Sequence, residues 1–440
     1  MALTPGSPKI PFLPPEIHLV IAQHVYRSDL PNYRLANTMF AEMGRPGLFH
    51  TITLRCTCAS VSQLKHITQN EQLSKLVNTL IWDTNRWRVG VDVRDWHEWT
   101  RYCKLRAQEA GSDQAALYEE LATSRQHWEA YLFRLEDEKR TNLEFEELCM
   151  SSPFPRLGLL SLQEVHVVRG AYQLNNRHVC MTEEHDTVPV TAPLSAWRGD
   201  TISRSLYTFL MPQILSTVKR WTFSGVDTKA LVRLETYPPM KGMHSELTSM
   251  TIRPGARDMA YNSERDTGRL AAYLSKRRDL ESLCLILNSR VVLANHTTSF
   301  SQTIQDTFEV KKRWSYQGCL EGPITWPKLR KLSLSHFDTN TNALLSLVAR
   351  HSSTLRDLRL HAISLCVNGE ETSTWLQVFR TISSTACLHN VALSGEFRYG
   401  DGIRDDVWDF DDKGLANAVT FWIINGGDCP WTDESEIITS

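Results

Sequence analysis

Eight times along this chain a short apolar word recurs, spaced apolar-x-x-apolar-x-apolar. It reads Val77/Leu80/Trp82, Leu162/Val165/Val167, Val218/Trp221/Phe223 and Leu247/Met250/Ile252 in the first half of the series. It continues as Leu280/Leu283/Leu285, Leu329/Leu332/Leu334, Leu355/Leu358/Leu360 and Leu388/Val391/Leu393. The last two residues of each word alternate, so on a strand both side chains share one face. Successive words begin 85, 56, 29, 33, 49, 26 and 33 residues apart. Between them lie helical stripes: Leu206, Phe209 and Leu210; Leu344, Leu345 and Val348; Trp375, Val378, Phe379 and Ile382. A strand and a helix repeated at this spacing predict a solenoid, whose units are half-buried and need their neighbours to complete the core. The three longer intervals must hold insertions.

Other segments break the pattern. Residues 95 to 148 are rich in Glu, Gln, Arg and Ala, and Leu117, Leu121, Trp128, Leu132 and Leu135 lie along one helical face. A helical hairpin inserted after the first strand is predicted there, capped by Ser112 or Asp113 and ending at Ser151-Ser152-Pro153-Phe154-Pro155. Residues 172 to 200 and 289 to 327 have no clear period and are expected to be surface loops. Leu415, Val419, Trp422 and Ile423 predict a last amphipathic helix, stopped by Gly426-Gly427.

The N-terminal segment 13 to 54, "LPPEIHLVIAQHVYRSDLPNYRLANTMFAEMGRPGLFHTITL", is the most specific. Pro14-Pro15-Glu16 suits the first turn of a helix. Ile17, Val20, Ile21 and Val25 then form one apolar stripe. Asp29 is a candidate N-cap for a second short helix carrying Leu30, Tyr33 and Leu35. Gly44, Pro46 and Gly47 are expected to end the helices before an alternating strand of Ile52, Leu54 and Cys56. Some forty residues cannot bury all these side chains alone, which implies a partner or a docked second domain.

This segment resembles the F-box, the helical module that docks on the Skp-type adaptor of Skp–cullin–F-box ubiquitin ligases. The resemblance runs through Leu13-Pro14, Ile17, Ile21, Asp29-Leu30, Arg34-Leu35 and Phe40, then into Leu48-Phe49-His50-Thr51-Ile52. Tyr33 stands where leucine is usual in the family and Phe40 where tryptophan is often found. The resemblance implies that Leu13, Pro14, Pro15, Ile17, Ile21, Leu30, Leu35 and Phe40 bind the adaptor, and through it a cullin. The words resemble degenerate leucine-rich repeats, since four intervals fall between 26 and 33 residues. Asn288 fills the asparagine position of that pattern, and Phe337 and Ile363 stand at equivalents. The tail "WIINGGDCPW" is similar to the closing segment of fungal-type F-box proteins.

The expected fold class is therefore α/β: N-terminal F-box helices, then an irregular leucine-rich-repeat-like solenoid with a helical insertion. The expected divisions are 10–50 for the F-box-like module, 51–94 for a first strand-helix unit, 95–150 for the insertion, 155–425 for the repeat domain and 426–440 for a tail.

Charge and chemistry narrow this little. The 440 residues carry 48 Lys and Arg against 50 Asp and Glu, so no overall field favours nucleic acid or an anionic membrane. No apolar run is long enough to span a bilayer, and "MALTPGSPKIPF" lacks a signal-peptide core. The ten cysteines form no disulfide framework, and an intracellular protein of the cytoplasm or nucleus is expected. His178, Cys180, Glu183, Glu184 and His185 fit no zinc spacing. Cys56 and Cys58 read as packed thiols on the strand with Leu54. The run Asp401 to Asp412 begins like a calcium loop but has Lys413 and Thr420 at positions needing oxygen ligands. No metal, cofactor or catalytic residue is assigned.

The reading that follows is a non-catalytic, substrate-recognition subunit of a ubiquitin ligase. The alternatives are an F-box scaffold acting outside a ligase, and a repeat-domain hydrolase without a local motif. Residues flanking the last two apolar positions of a word must point away from the core. From these positions Arg220, Arg253, Lys331, Asp357, Arg359, His361 and Asn390 are assigned to the surface for an unknown target protein.

Overall fold

A computed structural model describes residues 13–26, 28–55, 57–83, 95–109, 112–150, 159, 161–168, 172–174, 177–179, 218–226, 247–254, 270, 273–286, 324–366, 374–400, 405–427 and 429–430. The chain opens with three helices, α1 (Pro15–His24), α2 (Leu30–Leu35) and α3 (Thr38–Phe49). Strand β1 (Thr51–Leu54) follows, then α4 (Cys58–Gln69), α5 (Glu71–Ser74) and β2 (Thr79–Asp83). Helices α6 (Trp96–Glu109), α7 (Ser112–Thr123) and α8 (Arg125–Met150) intervene before β3 (Glu164–Val168). A hairpin of β4 (Tyr172–Leu174) and β5 (Arg177–Val179) precedes β6 (Arg220–Val226), β7 (Ser249–Pro254) and β8 (Ser282–Ile286). The remainder runs β9 (Lys331–Ser335), β10 (Asp338–Thr339), α9 (Thr341–Arg350), β11 (Asp357–His361) and β12 (Ser364–Cys366). It ends with α10 (Trp375–Thr385), β13 (Asn390–Ser394), β14 (Glu396–Gly400), β15 (Asp405–Asp409) and α11 (Lys413–Asn425).

Nine strands form one sheet in the order β1-β2-β3-β6-β7-β8-β9-β11-β13, and every neighbouring pair is parallel. The eight words are eight of these strands, adjacent and in chain order; β1 is the ninth. Register aligns the words residue for residue. Leu80, Val165, Trp221, Met250, Leu283, Leu332, Leu358 and Val391 make one ladder, and the third residues of the words make a second. All are buried, as is the first residue of every word. A fully buried side chain of this size contributes about 1.5–3 kcal/mol.

Helices cover that apolar face. Val61, Leu64 and Ile67 of α4, Leu344, Leu347 and Val348 of α9, and Trp375, Val378, Phe379 and Ile382 of α10 join the strands in one core. Val419, Trp422 and Ile423 of α11 close it. Side chains define where these helices begin: Thr57, Asn340 and Asp412 each accept a backbone N–H from the first turn. Gly426 ends α11 at φ 71°, as the sequence predicts.

The sequence did not predict the second sheet, β10-β12-β14-β15. In β6, β9, β11 and β13 the sixth residue of the aligned row is left-handed: Gly225, His336, Ala362 and Gly395, with φ between 48° and 74°. In the last three units the chain turns a corner there into β10, β12 and β14, which pair in parallel, and β15 closes the edge antiparallel. These strands are two to five residues long and follow no alternation the sequence displays.

Three further expectations need correction. The insertion follows the strand of the first word, β2, as expected, but has three helices, not the two of a hairpin. Its own core is Trp99, Cys103, Tyr118, Leu121, Ala122, Tyr131 and Leu135; burial pushes the Cys103 thiol up to about 12. Second, α3 continues through Gly44, Pro46 and Gly47 to Phe49. A Cβ at Gly44 would lie 2.8 Å from Arg34 Cγ, so close packing of α2 on α3 requires glycine and outweighs its poor helix propensity. Third, β1 ends at Leu54, and Cys58 opens α4, where Arg140 Nε and Thr141 Oγ1 of α8 lie 3.3 Å from its sulfur. Cys56, the Leu206–Leu210 stripe and the 289 to 323 segment lie outside the described residues.

Two predictions follow from local chemistry. A Cβ at Gly395 would meet the His361 ring at 3.0 Å in a left-handed conformation. Gly395→Ala should lower stability by about 1–3 kcal/mol in urea unfolding, whereas Ala362→Gly at the equivalent turn should not destabilise. The second concerns His351, which is buried between Trp326 and Leu347. Its Nε2 accepts the Trp326 N–H at 3.0 Å and its Nδ1–H donates to the Leu347 carbonyl at 2.8 Å. Only the neutral ring does both, and burial lowers its pKa, opposed by the Leu347 carbonyl. The unfolded chain therefore takes up this proton at higher pH than the folded one. The stabilisation is full above the ordinary imidazole pKa and is lost as pH falls from there through the lowered folded value. Thermal melts of wild type should drop between about pH 7 and 5, with a flatter profile for His351→Gln.

Candidate functional site

Two surfaces qualify. The first is on α1, whose apolar stripe faces outward. The helix buries His18 and Ala22, while Ile17, Leu19, Val20 and Ile21 are 37–48% exposed. His18 turns inward onto the Phe40 ring at 5.0 Å, and the Tyr33 hydroxyl donates to the His18 carbonyl at 3.4 Å. Tyr33 and Phe40 stack on each other at 4.7 Å. With α1 held by its polar and small side, the aliphatic side is left to water. Soluble surfaces rarely gather aliphatic side chains in this way.

The predicted residues divide between surface and core. Pro14, Pro15, Ile17, Ile21 and Leu35 are exposed, Leu35 by 84%. Leu13 and Phe40 are half-buried. Leu30 is the exception: at 3% exposure it is buried in the module and would touch any Cβ at Gly47 at 3.1 Å. It holds α2 on α3 and is not part of the outer surface. Asp29 precedes α2 without a capping bond; Asn37, which accepts the Phe40 N–H at 2.8 Å, caps α3 instead. Leu19 and Val20 join the exposed surface; Val20 belongs to the sequence stripe, and Leu19 is out of phase with it.

The second surface is the polar face of the long sheet. Arg220, Lys331, Asp357 and Asn390 occupy its first row, Arg359 its third and Arg253 and His361 its fifth, so all seven predicted residues share one face. Towards the N-terminal end that face is covered: Ile81, Asp83, His166 and Val168 are buried on it. From β6 to β13 it opens. Two cations there are neutralised, Arg220 by Glu164 at 3.5 Å and Lys331 by Asp357 at 3.4 Å. Hydrogen bonding to His166 and the Arg220 charge hold the Glu164 carboxyl low against its burial. Thr251, Cys284 and Ser333 also lie in the third row. They flank the apolar pairs in the same way but are not among the seven.

Ser394 Oγ lies 2.9 Å from His361 Nδ1 and Ser335 Oγ 2.8 Å from His336 Nδ1, with the two rings 4.9 Å apart. No carboxylate orients His361 among the described residues, as an activated serine would require. No group of three or more His, Cys, Asp and Glu that could hold a metal is found among the described residues. Cys180, Glu183, Glu184 and His185 lie outside them. The carboxylates of Asp409, Asp411 and Asp412 accept backbone N–H bonds from Asp411, Gly395 and Gly414 and so build turns. No described helix is long and apolar enough to cross a membrane.

No protein-family model matches the chain, and no curated protein matches it.

The burial contrast within the N-terminal module is testable. Leu30→Ala should destabilise the module by about 2–5 kcal/mol, and Leu35→Ala should stay within about 0.5 kcal/mol. Hydrogen exchange of the α2 and α3 amides reads both.

Proposed function

We propose that this chain is the substrate-recognition subunit of a Skp–cullin–F-box ubiquitin ligase. Helices α1 to α3 are its F-box, and the sheet with its helices is an irregular leucine-rich-repeat-like solenoid. The observation that carries the reading is the outward stripe of Ile17, Val20 and Ile21 beside exposed Pro14, Pro15 and Leu35. A helix that buries histidine and alanine while presenting isoleucine and valine is built for an apolar partner. Covering each such side chain is worth up to about 1.5–3 kcal/mol, less the costs of association.

The chemistry is positioning. The module holds the adaptor, the polar face of the sheet holds a target, and the target's lysines are brought near a charged ubiquitin carrier. No residue of this chain makes or breaks a bond. Co-purification of a cullin with the adaptor separates a ligase subunit from an F-box scaffold working elsewhere.

Replacing Leu13 and Pro14 by alanine should abolish co-precipitation of the adaptor and leave thermal unfolding nearly unchanged. Retained binding by that variant would overturn the assignment of this surface.

A further inference from the structure

The longest helix of the insertion, α8, has one side that the chain itself does not use. Its inner side buries Tyr131, Leu135, Glu138 and Thr141. On the opposite side Phe133, Glu136, Arg140 and Leu143 recur at spacings of three, four and three. Those are the a, d, a and d positions of a heptad, so the four side chains share one narrow stripe. All of it faces water. Phe133 and Leu143 are 67% and 60% exposed, and the side chains of Glu136 and Arg140 are 76% and 65% exposed.

One exposed Phe or Leu is ordinary. The order along this stripe is not, because it is complementary to its own reverse. Phe133 and Leu143 each lie five residues from position 138, and Glu136 and Arg140 each lie two residues from it. In an antiparallel pair of helices an a position opposes a d position. A two-fold pair of α8 helices therefore sets Phe133 opposite Leu143 of the second copy and Glu136 opposite its Arg140, and makes each contact twice. A parallel pair would set glutamate on glutamate and arginine on arginine. Charge thus excludes the parallel arrangement and selects the antiparallel one.

The two charged groups also have capacity left for a second chain. Arg140 gives Nε to the Cys58 sulfur at 3.3 Å and Nη2 to Asp137 at 3.4 Å, which leaves Nη1. Glu136 meets Lys139 through Oε2 at 3.5 Å, which leaves Oε1. Both ion pairs lie three residues apart on an exposed helix and contribute little by themselves.

We propose that the outer stripe of α8 is a self-association surface, through which two copies of this chain pair by antiparallel α8 helices. Ten residues of helix give a seam about 15 Å long, so the dimer is weak and reversible. The inference uses only the insertion and does not depend on the ligase reading. Its consequence is two copies of every surface described above, so a target with two sites is held by effective concentration.

The purified full chain is followed by sedimentation velocity over a concentration series. The mass of wild type should rise towards that of a dimer and no further, because a two-fold contact closes. E136R and R140E each place like charges opposite one another, and each should weaken association at least about tenfold. An equimolar mixture of these two variants should recover it, since the arginines of one chain then face the glutamates of the other. The double swap E136R/R140E should recover it as well; a merely structural role for either residue gives no such rescue. Orientation is read by mixing F133C and L143C chains with a short bismaleimide. Mass spectrometry should then find position 133 of one chain joined to position 143 of the other. Thermal melts check that each variant folds. F133S leaves Arg140 and its contact with α4 in place, and it should also weaken association if R140E unfolds. Wild type that stays monomeric throughout would overturn the proposal. So would undiminished association of the folded charge reversals or of F133S, a mixture that fails to associate, or cross-links joining position 133 to itself. A helical protein from cell extract that binds monomeric wild type but not F133S assigns the stripe to a different partner and likewise overturns it.

Discussion

One backbone carbonyl at the foot of each strand accepts two N–H groups from the next unit, and the rest of the molecule depends on that shared bond. His50 O takes Asn78 and Thr79, Asn78 O takes Gln163 and Glu164, and Gln163 O takes Lys219 and Arg220. The series continues through Lys219, Thr248, Glu281, Arg330 and Arg356. A one-residue slip in any strand would turn its apolar pair out and its polar pair in. By pinning each strand at its start, the shared carbonyl keeps two apolar ladders on one face and all the charged residues on the other. The large variation in loop length between units is tolerated for the same reason: register is set at the strand, not by the connection.

That explains which parts of the fold were legible. A word of three apolar residues states its own face and register, so Leu329 to Leu334 and Leu355 to Leu360 could be placed as neighbours before any coordinates. The second sheet could not. It begins at left-handed His336 and Ala362, residues whose sequence identity does not announce that conformation. Its strands stay in place because Phe337 and Ile363 are fully buried at the corner. The insertion was legible as helix but not as three helices, because Trp96, Trp99 and Cys103 pack on the others without extending their stripe.

The N-terminal module shows a different limit. Periodicity finds a stripe on α1 but does not say whether the stripe is a core or a surface. Ordinarily the aliphatic side is buried, and here His18 and Ala22 take that place because Phe40 and Tyr33 offer a flat aromatic seat. Leu30 and Leu35 make the same point in reverse. They sit on one six-residue helix, both read as partner contacts, yet one is 3% and the other 84% exposed. Only the packing of α2 on the glycines of α3 separates them.

The two surfaces belong to one mechanical body. Helix α3 runs directly into β1, and the residue between them, His50, supplies the first carbonyl of the shared series. Phe49, the last residue of α3, packs against the main core. The Arg45 guanidinium reaches Gln72 after α4 at 3.4 Å. A flexible tether at this junction would let an adaptor-bound module and a target-bound sheet drift apart, and the gain from proximity would fall with the volume explored. Continuity of helix, carbonyl and strand instead ties the N-terminal helices to the sheet that carries the polar face. Under the proposed function, that rigidity is what converts two binding surfaces into a device for presenting one chain to another.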